Sequence, residues 1–135
     1  MHKFTLAQCN AILPLVRAVA GEIAERRRHR SSLLRERAAL RKARTPEGLT
    51  EAVGVLDGQV CEEEDGIHRA CRELQRYGLS VVRLNPLVVH FPGKAQKGDE
   101  VDDMVFCWQE DEPAVSHAHP QGQEQEPRFP LKLPR

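Results

Sequence analysis

The sequence predicts an α+β fold: a long antiparallel two-helix hairpin followed by a small three- to four-stranded antiparallel β-meander. Three observations carry this expectation. Apolar residues recur at helical spacing through the first part of the chain, interrupted at "TPEG" (45–48). After Gly78 the pattern becomes extended, in runs rich in β-branched residues. The chain has 135 residues, 40% of them apolar and 30% charged, which suits one folded domain. Only 4% are aromatic, so the core must rest largely on Leu, Val, Ile and Ala.

The first helix begins at an explicit signal. Thr5 and Gln8 have the T-x-x-Q spacing of a capping box, with Phe4 and Cys9 placed as a hydrophobic staple. Cys9, Ile12, Leu13, Val16, Val19, Ala20 and Ile23 then follow at helical spacing. Pro14 should bend this helix without ending it, because the pattern continues beyond it. Arg, Leu and Ala dominate as far as Arg44, giving one helix from about residue 6 to about residue 43.

Thr45 as N-cap and Pro46 at the first helical position restart the chain. Leu49, Val53, Leu56, Val60, Ile67, Ala70 and Leu74 form a heptad stripe broken by Glu63. Gly54, Gly58 and Gly66 each weaken the helix by about 1 kcal/mol relative to Ala, so it depends on a packing partner. Gly78 marks its end. "LSVVRL" and "LVVHF" read as strands joined at Asn85-Pro86, "PGKAQKGDE" as a polar loop, "DMVFCW" as a third strand and "AVSHA" as a short fourth. The expected organisation is one α+β domain over 1–119, with the hairpin over about 6–77 and the meander over about 79–118. Residues 120–135 form a largely extended or mobile tail unless Phe129 and Leu131 dock.

The net charge is zero, but its distribution is uneven. Residues 1–44 hold eleven Lys or Arg against three Asp or Glu, residues 45–77 three against eight, and residues 78–135 six against nine. In an antiparallel hairpin, "RRRHR" (26–30) lies beside "CEEEDG" (61–66). The basic run thus has an internal partner, which argues against nucleic acid. Cys9, Cys61, Cys71 and Cys107 show no paired metal spacing and read as reduced, buried side chains. "AILPLVRAVAG" fails as a signal peptide because Pro14 and Arg17 interrupt it. No run approaches the roughly 18 apolar residues of a bilayer span, so the expected location is the cytoplasm.

Three blocks, "FTLAQCNAILPLVR", "GLSVVRLNPLVVHFP" and "VFCWQEDEPAVSHAHP", resemble in order and spacing a bacterial family known only as domain of unknown function 2203. The resemblance rests on Phe4, Thr5, Asn10, Leu13, Pro14 and Arg17, and again on Gly78, Phe91-Pro92, Cys107-Trp108, Glu112-Pro113, His119, Arg128 and Pro130-Leu131. It implies no activity. The chain departs from the family pattern at His90, usually Asp, at His117, usually aromatic, and at Ala118, usually Trp. Glu124 and Pro127 stand where the pattern has glycine. Of the three histidines, only His119 belongs to the pattern, which weighs against a metal site shared by the family.

Two groups of residues carry chemical expectations. His117 and His119 are two apart, so in a strand both imidazoles point to one face. With His90 or Cys107 they would offer zinc nitrogen and sulfur ligands, whereas the plainer reading is two surface histidines. Glu112, His119 and Arg128 would bind a small anion or perform acid–base work, though a network tying the tail to the sheet uses the same residues. Trp108 is expected in the core with its indole N–H satisfied. No phosphate loop, G-x-S-x-G elbow or H-E-x-x-H helix is present, so catalysis is unsupported and no cofactor is expected unless zinc occupies the histidines.

A helix of about 36 residues spans roughly 54 Å, more than a small sheet covers. Leu33, Leu34, Leu49, Val53 and Leu56 should therefore need a cover, most simply a second copy in an antiparallel four-helix dimer. The leading expectation is a cytosolic, non-enzymatic interaction or scaffold module that self-associates through its hairpin, its protein partner unidentified. The alternative is a small-ligand or metal-binding protein, or an enzyme, with its site around Glu112, His119 and Arg128.

Overall fold

Thr5 and Gln8 form the reciprocal cap that the spacing predicts. The Thr5 N–H donates to Gln8 Oε1 at 3.0 Å, and the Gln8 N–H donates to Thr5 Oγ1 at 3.2 Å. Helix α1 then runs unbroken from Leu6 to Ala43, through Pro14. Helix α2 spans Leu49–Arg76 and stops where Gly78 adopts a φ of 84°, the left-handed conformation that suits glycine after a helix. The computed structural model describes residues 3–43, 49–97, 100–122, 124 and 127–131. The expected helix start at Thr45 and Pro46 lies outside the described residues.

Five antiparallel strands follow: β1 (Ser80–Leu84), β2 (Leu87–Lys97), β3 (Glu100–Gln109), β4 (His117–Pro120) and β5 (Phe129–Pro130), adjacent in that order. The fold is therefore α+β, two long helices followed by an antiparallel sheet. Three details differ from expectation. The "PGKAQK" stretch (92–97) is no loop: β2 continues through it to Lys97, paired with β3 at Gly93 with Met104 and Lys94 with Asp103. A hairpin arm held by its backbone ladder needs no apolar period, so composition alone concealed it. The fourth strand sits later than "AVSHA", at His117–Pro120. Finally, Phe129 pairs with Ala118 and the Leu131 N–H donates to Ser116 O at 2.7 Å, adding a fifth strand from the last stretch of chain.

The chain divides into two compact units, Gly21–Ala70 and the remainder, Met1–Ala20 with Cys71–Arg135. In the unit 21–70, Leu33, Leu56 and Val60 are buried together, with Leu34 and Leu40 packed against them. The basic and acidic runs meet as expected. Arg26 lies 3.5 Å from Glu63 and Arg30 lies 2.9 Å from Glu64, while Arg37 pairs with Asp57. Glu63, the break in the apolar stripe, lies half-buried between Arg26 and His29. Gly66 makes room for Arg26, whose guanidinium occupies the space that a β-carbon would need.

In the other unit the sheet has two unlike faces. Leu87, Val89 and Phe91 of β2, Phe106 and Trp108 of β3 and Ala118 of β4 alternate onto one face and are all buried. Phe4 meets Phe91 edge to face with ring centroids 5.9 Å apart, and its backbone bonds Pro92 O and the Lys94 N–H. Cys9, Leu13, Val16 and Val19 of α1 are buried as well. Asn10 reaches the β3–β4 connection, accepting from the Val115 N–H at 2.8 Å and donating to Val115 O at 3.2 Å. Trp108 is a core anchor, as expected, its indole N–H donating to Glu112 O at 3.0 Å. The alternate residues, among them Val88, His90, Val105, Cys107 and His119, line a cleft of about 1170 Å³ on the second face.

Candidate metal centre and the polar network beside it

Strand register brings the site together. His90 of β2 pairs with Cys107 of β3, and Cys107 pairs with His117 of β4, while His119 stands one step along opposite Val105. Residues directly opposite each other in an antiparallel ladder point to the same face. His90, Cys107 and His119 are all buried, and one potential ligand atom from each lies within 4.8 Å of the others. The two imidazole rings are 5.1 Å apart at 51°. His117 shares their face but has other partners: its Nδ1 lies 3.2 Å from Glu112 Oε2 and 3.1 Å from Ser116 Oγ.

The environment of the two histidines suits a cation, whereas the Cys107 thiol is raised on balance. His119 is 6% exposed, and its Nδ1 is buried with no hydrogen-bond partner among the described residues. Such an orphaned polar atom costs about 1–3 kcal/mol unless something binds it. Burial lowers the His90 pKa, the His119 charge lowers it further, and Glu124 opposes both, so His90 favours the neutral form that ligates metals. Burial raises the Cys107 thiol, while the Arg128 guanidinium, which hydrogen-bonds it, acts to lower it. Two imidazoles and a thiol are zinc donors. Tetrahedral zinc with bonds of about 2.0–2.3 Å places its ligand atoms about 3.5 Å apart, so rotamer adjustments of roughly an ångström would close the set.

Of Glu112, His119 and Arg128, His119 and Arg128 line the cleft together. Glu112 and Arg128 pair with each other, Arg128 Nη1 donating to Glu112 Oε1 at 2.5 Å. The same oxygen accepts the Gln109 N–H at 2.7 Å. Burial acts to raise the Glu112 pKa, but the hydrogen bonds from Arg128 and Gln109, with the Arg128 and His117 charges, outweigh it and hold the carboxyl below its usual range. Asp111, with a φ of 77°, turns the chain back so that Glu112 meets Gln109. Arg17 adds bonds to Glu112 O and Pro113 O. This is the network that ties Arg128 to the sheet. Its link to the histidine centre is Arg128, which touches both Glu112 and Cys107.

The remaining expected residues are placed as follows. Leu33 and Leu56 are buried within the chain itself, and Leu34, Leu49 and Val53 are half-buried. Cys9 is buried with its thiol pushed up to about 12, Cys71 is half-buried, and Cys61 is exposed, contrary to the expectation of burial. No described helix is long and apolar enough to cross a membrane. His90 and Cys107 were expected only as optional partners of His117 and His119. A signal was present: each sits between large apolar neighbours, Val89 and Phe91 or Phe106 and Trp108, and so faces away from the core.

A family model described as an uncharacterized conserved protein, DUF2203, matches residues 2–131. No curated protein matches the chain, and no solved structure does.

Proposed function

The chain belongs to the DUF2203 family, and because that description names no activity we propose a function from its own side chains: it binds a zinc-like transition metal through His90, Cys107 and His119. The observation that carries this reading is the convergence of three buried ligand atoms within 4.8 Å, one histidine having an unpartnered Nδ1. A mixed imidazole and thiolate set favours zinc over the hard cations, which prefer oxygen. Arg128 positions the thiol and Glu112 positions Arg128, a supporting arrangement typical of metal centres. Three protein ligands leave a fourth position, the pattern of sites that take up solvent or a ligand.

Elemental analysis of untagged protein purified without chelator tests this. The expected result is close to one zinc per chain, lost in His119→Ala and in Cys107→Ser and retained in His117→Ala. Background metal in the parent protein, with no rise in melting temperature on adding zinc, would refute it, since a ligand that binds the folded state must stabilise it.

Self-association through the hairpin is the second reading, and one observation favours it. Val55 is 58% exposed beside a groove lined by Leu40, Ala52 and Leu56. Burial of Leu33 and Leu56 within the chain shortens the stripe that a second copy would cover. Sedimentation of Val55→Glu against the parent protein tests it: a dimer that the substitution splits supports it, and a parent monomer at micromolar concentration removes it.

A further inference from the structure

The histidine centre opens onto a cleft whose other wall carries an arginine that the strand pattern alone would not place there. Along β1, Val81 pairs with Val89, but Arg83, not Val82, pairs with Val88. The extra residue is a β-bulge, and its effect is to re-aim a side chain. With regular pairing Arg83 would oppose Leu87, which faces the core and is fully buried. With the bulge it opposes Val88 and lines the cleft together with His90, Cys107 and His119. Arg83 is exposed, and no hydrogen bond or ion pair ties it to another described residue. Arg128 contrasts with it, its charge being matched by Glu112.

We infer that the cleft binds a small oxyanion, a carboxylate or phosphate group, with one oxygen on the metal and a neighbouring oxygen on the Arg83 guanidinium. This rests on the metal-binding reading above. A divalent ion held by two neutral imidazoles and one thiolate keeps one positive charge, and Arg83 adds another. Glu124, which also lines the cleft, offsets only one of them. Arg83 lies two strands and one residue pair from Cys107, about 12 Å between α-carbons at standard sheet spacings. An extended arginine covers roughly half of that distance, so a small anion between its guanidinium and the ligand set would complete the span across the cleft. The forked guanidinium selects ligands with two or more oxygens on one atom.

The test uses the cobalt(II)-substituted full chain and follows its visible absorption during separate titrations with inorganic phosphate, acetate and chloride. Saturable spectral changes with phosphate or acetate are expected, and whichever binds more tightly names the ligand class. Arg83→Ala should weaken that oxyanion about tenfold, the loss of one charge-assisted hydrogen bond. Chloride, which cannot bridge, should be little affected, and cobalt stoichiometry should stay at the parent value. An unchanged oxyanion affinity in Arg83→Ala, or no spectral response to either oxyanion, overturns the inference and leaves the metal site standing. So does a changed anion-free spectrum in Glu124→Gln, which would mean that this carboxylate fills the fourth position. A parent protein that takes up no cobalt overturns the metal reading and this inference together.

Discussion

Replacing Glu112 by Gln should destabilise the fold by about 2 kcal/mol at neutral pH. The carboxylate accepts the Gln109 N–H at 2.7 Å and Arg128 Nη1 at 2.5 Å, and its second oxygen lies 3.2 Å from His117. Glutamine keeps the shape and one acceptor oxygen but loses the charge. Hydrogen bonds to charged groups contribute about 1 kcal/mol more than neutral ones; the Gln109 bond becomes neutral, and the Arg128 bond falls from an ion pair to a charged–neutral one. The Arg128 side chain is 27% exposed, so water screens part of its loss and holds the total near the lower end. The pH dependence has a definite sign. Because the folded-state pKa of Glu112 is lowered, its contribution is complete above the ordinary carboxyl value and fades as the pH falls through the lower folded one. Urea unfolding of parent and Glu112→Gln across that range is the assay. A difference below about 0.5 kcal/mol at neutral pH, the level of an ordinary surface substitution, would refute the argument. So would a difference that persists undiminished in acid.

Four further outcomes follow from packing, hydrogen bonding and ion pairing. Gly54→Ala and Gly58→Ala, where a β-carbon meets open space, should each stabilise α2 by about 0.5–1 kcal/mol in thermal melts. Gly93→Ala, where a β-carbon would overlap the Phe106 ring and crowd Phe4 O, should destabilise by about 1–3 kcal/mol; a neutral melt would contradict that packing. Asn10→Ala should cost about 2–3 kcal/mol in urea unfolding, since it leaves both the Val115 N–H and its carbonyl without the Asn10 amide. A double-mutant cycle on Arg37 and Asp57 should give a coupling of no more than about 1 kcal/mol, shrinking with salt, because both groups are partly exposed.

The helices were legible because their signals are local. Thr5 with Gln8, the apolar spacing from Cys9 to Ile23, and Gly78 are each read within a turn or two of chain. The sheet was legible in outline for the same reason, since β2 alternates visibly between Leu87, Val89, Phe91 and Val88, His90. What escaped depends on pairing between distant segments. The spacing of His117 and His119 suggested a shared ion, and register does place His117 opposite Cys107, yet the side chains bring His119 together with His90 and Cys107 while His117 turns to Glu112. Nor does sequence show that Glu112 and Arg128 satisfy each other while Arg128 lines the cleft with His119. The bulge that turns Arg83 into the cleft leaves no mark in composition, and the two-residue strand β5 is too short to show a period.

The division of the chain into two units bears on the order in which the protein takes shape during synthesis. The unit 21–70 is one uninterrupted run, so every residue it needs has been made once the chain has grown past Ala70. The unit that carries the proposed metal ligands is split, and its opening residues must wait. Phe4 pairs with the backbone of Pro92 and Lys94, and Asn10 with Val115, contacts whose sequence separation makes them slow to form. Until β2 and β3 have emerged, Phe4, Cys9 and Leu13 present an apolar surface with nothing to bury it, a window in which a nascent chain is prone to mispairing. On the proposed metal reading, His119 is the last of the three ligands to be made, so an ion could be captured by the full set only after β4 has emerged.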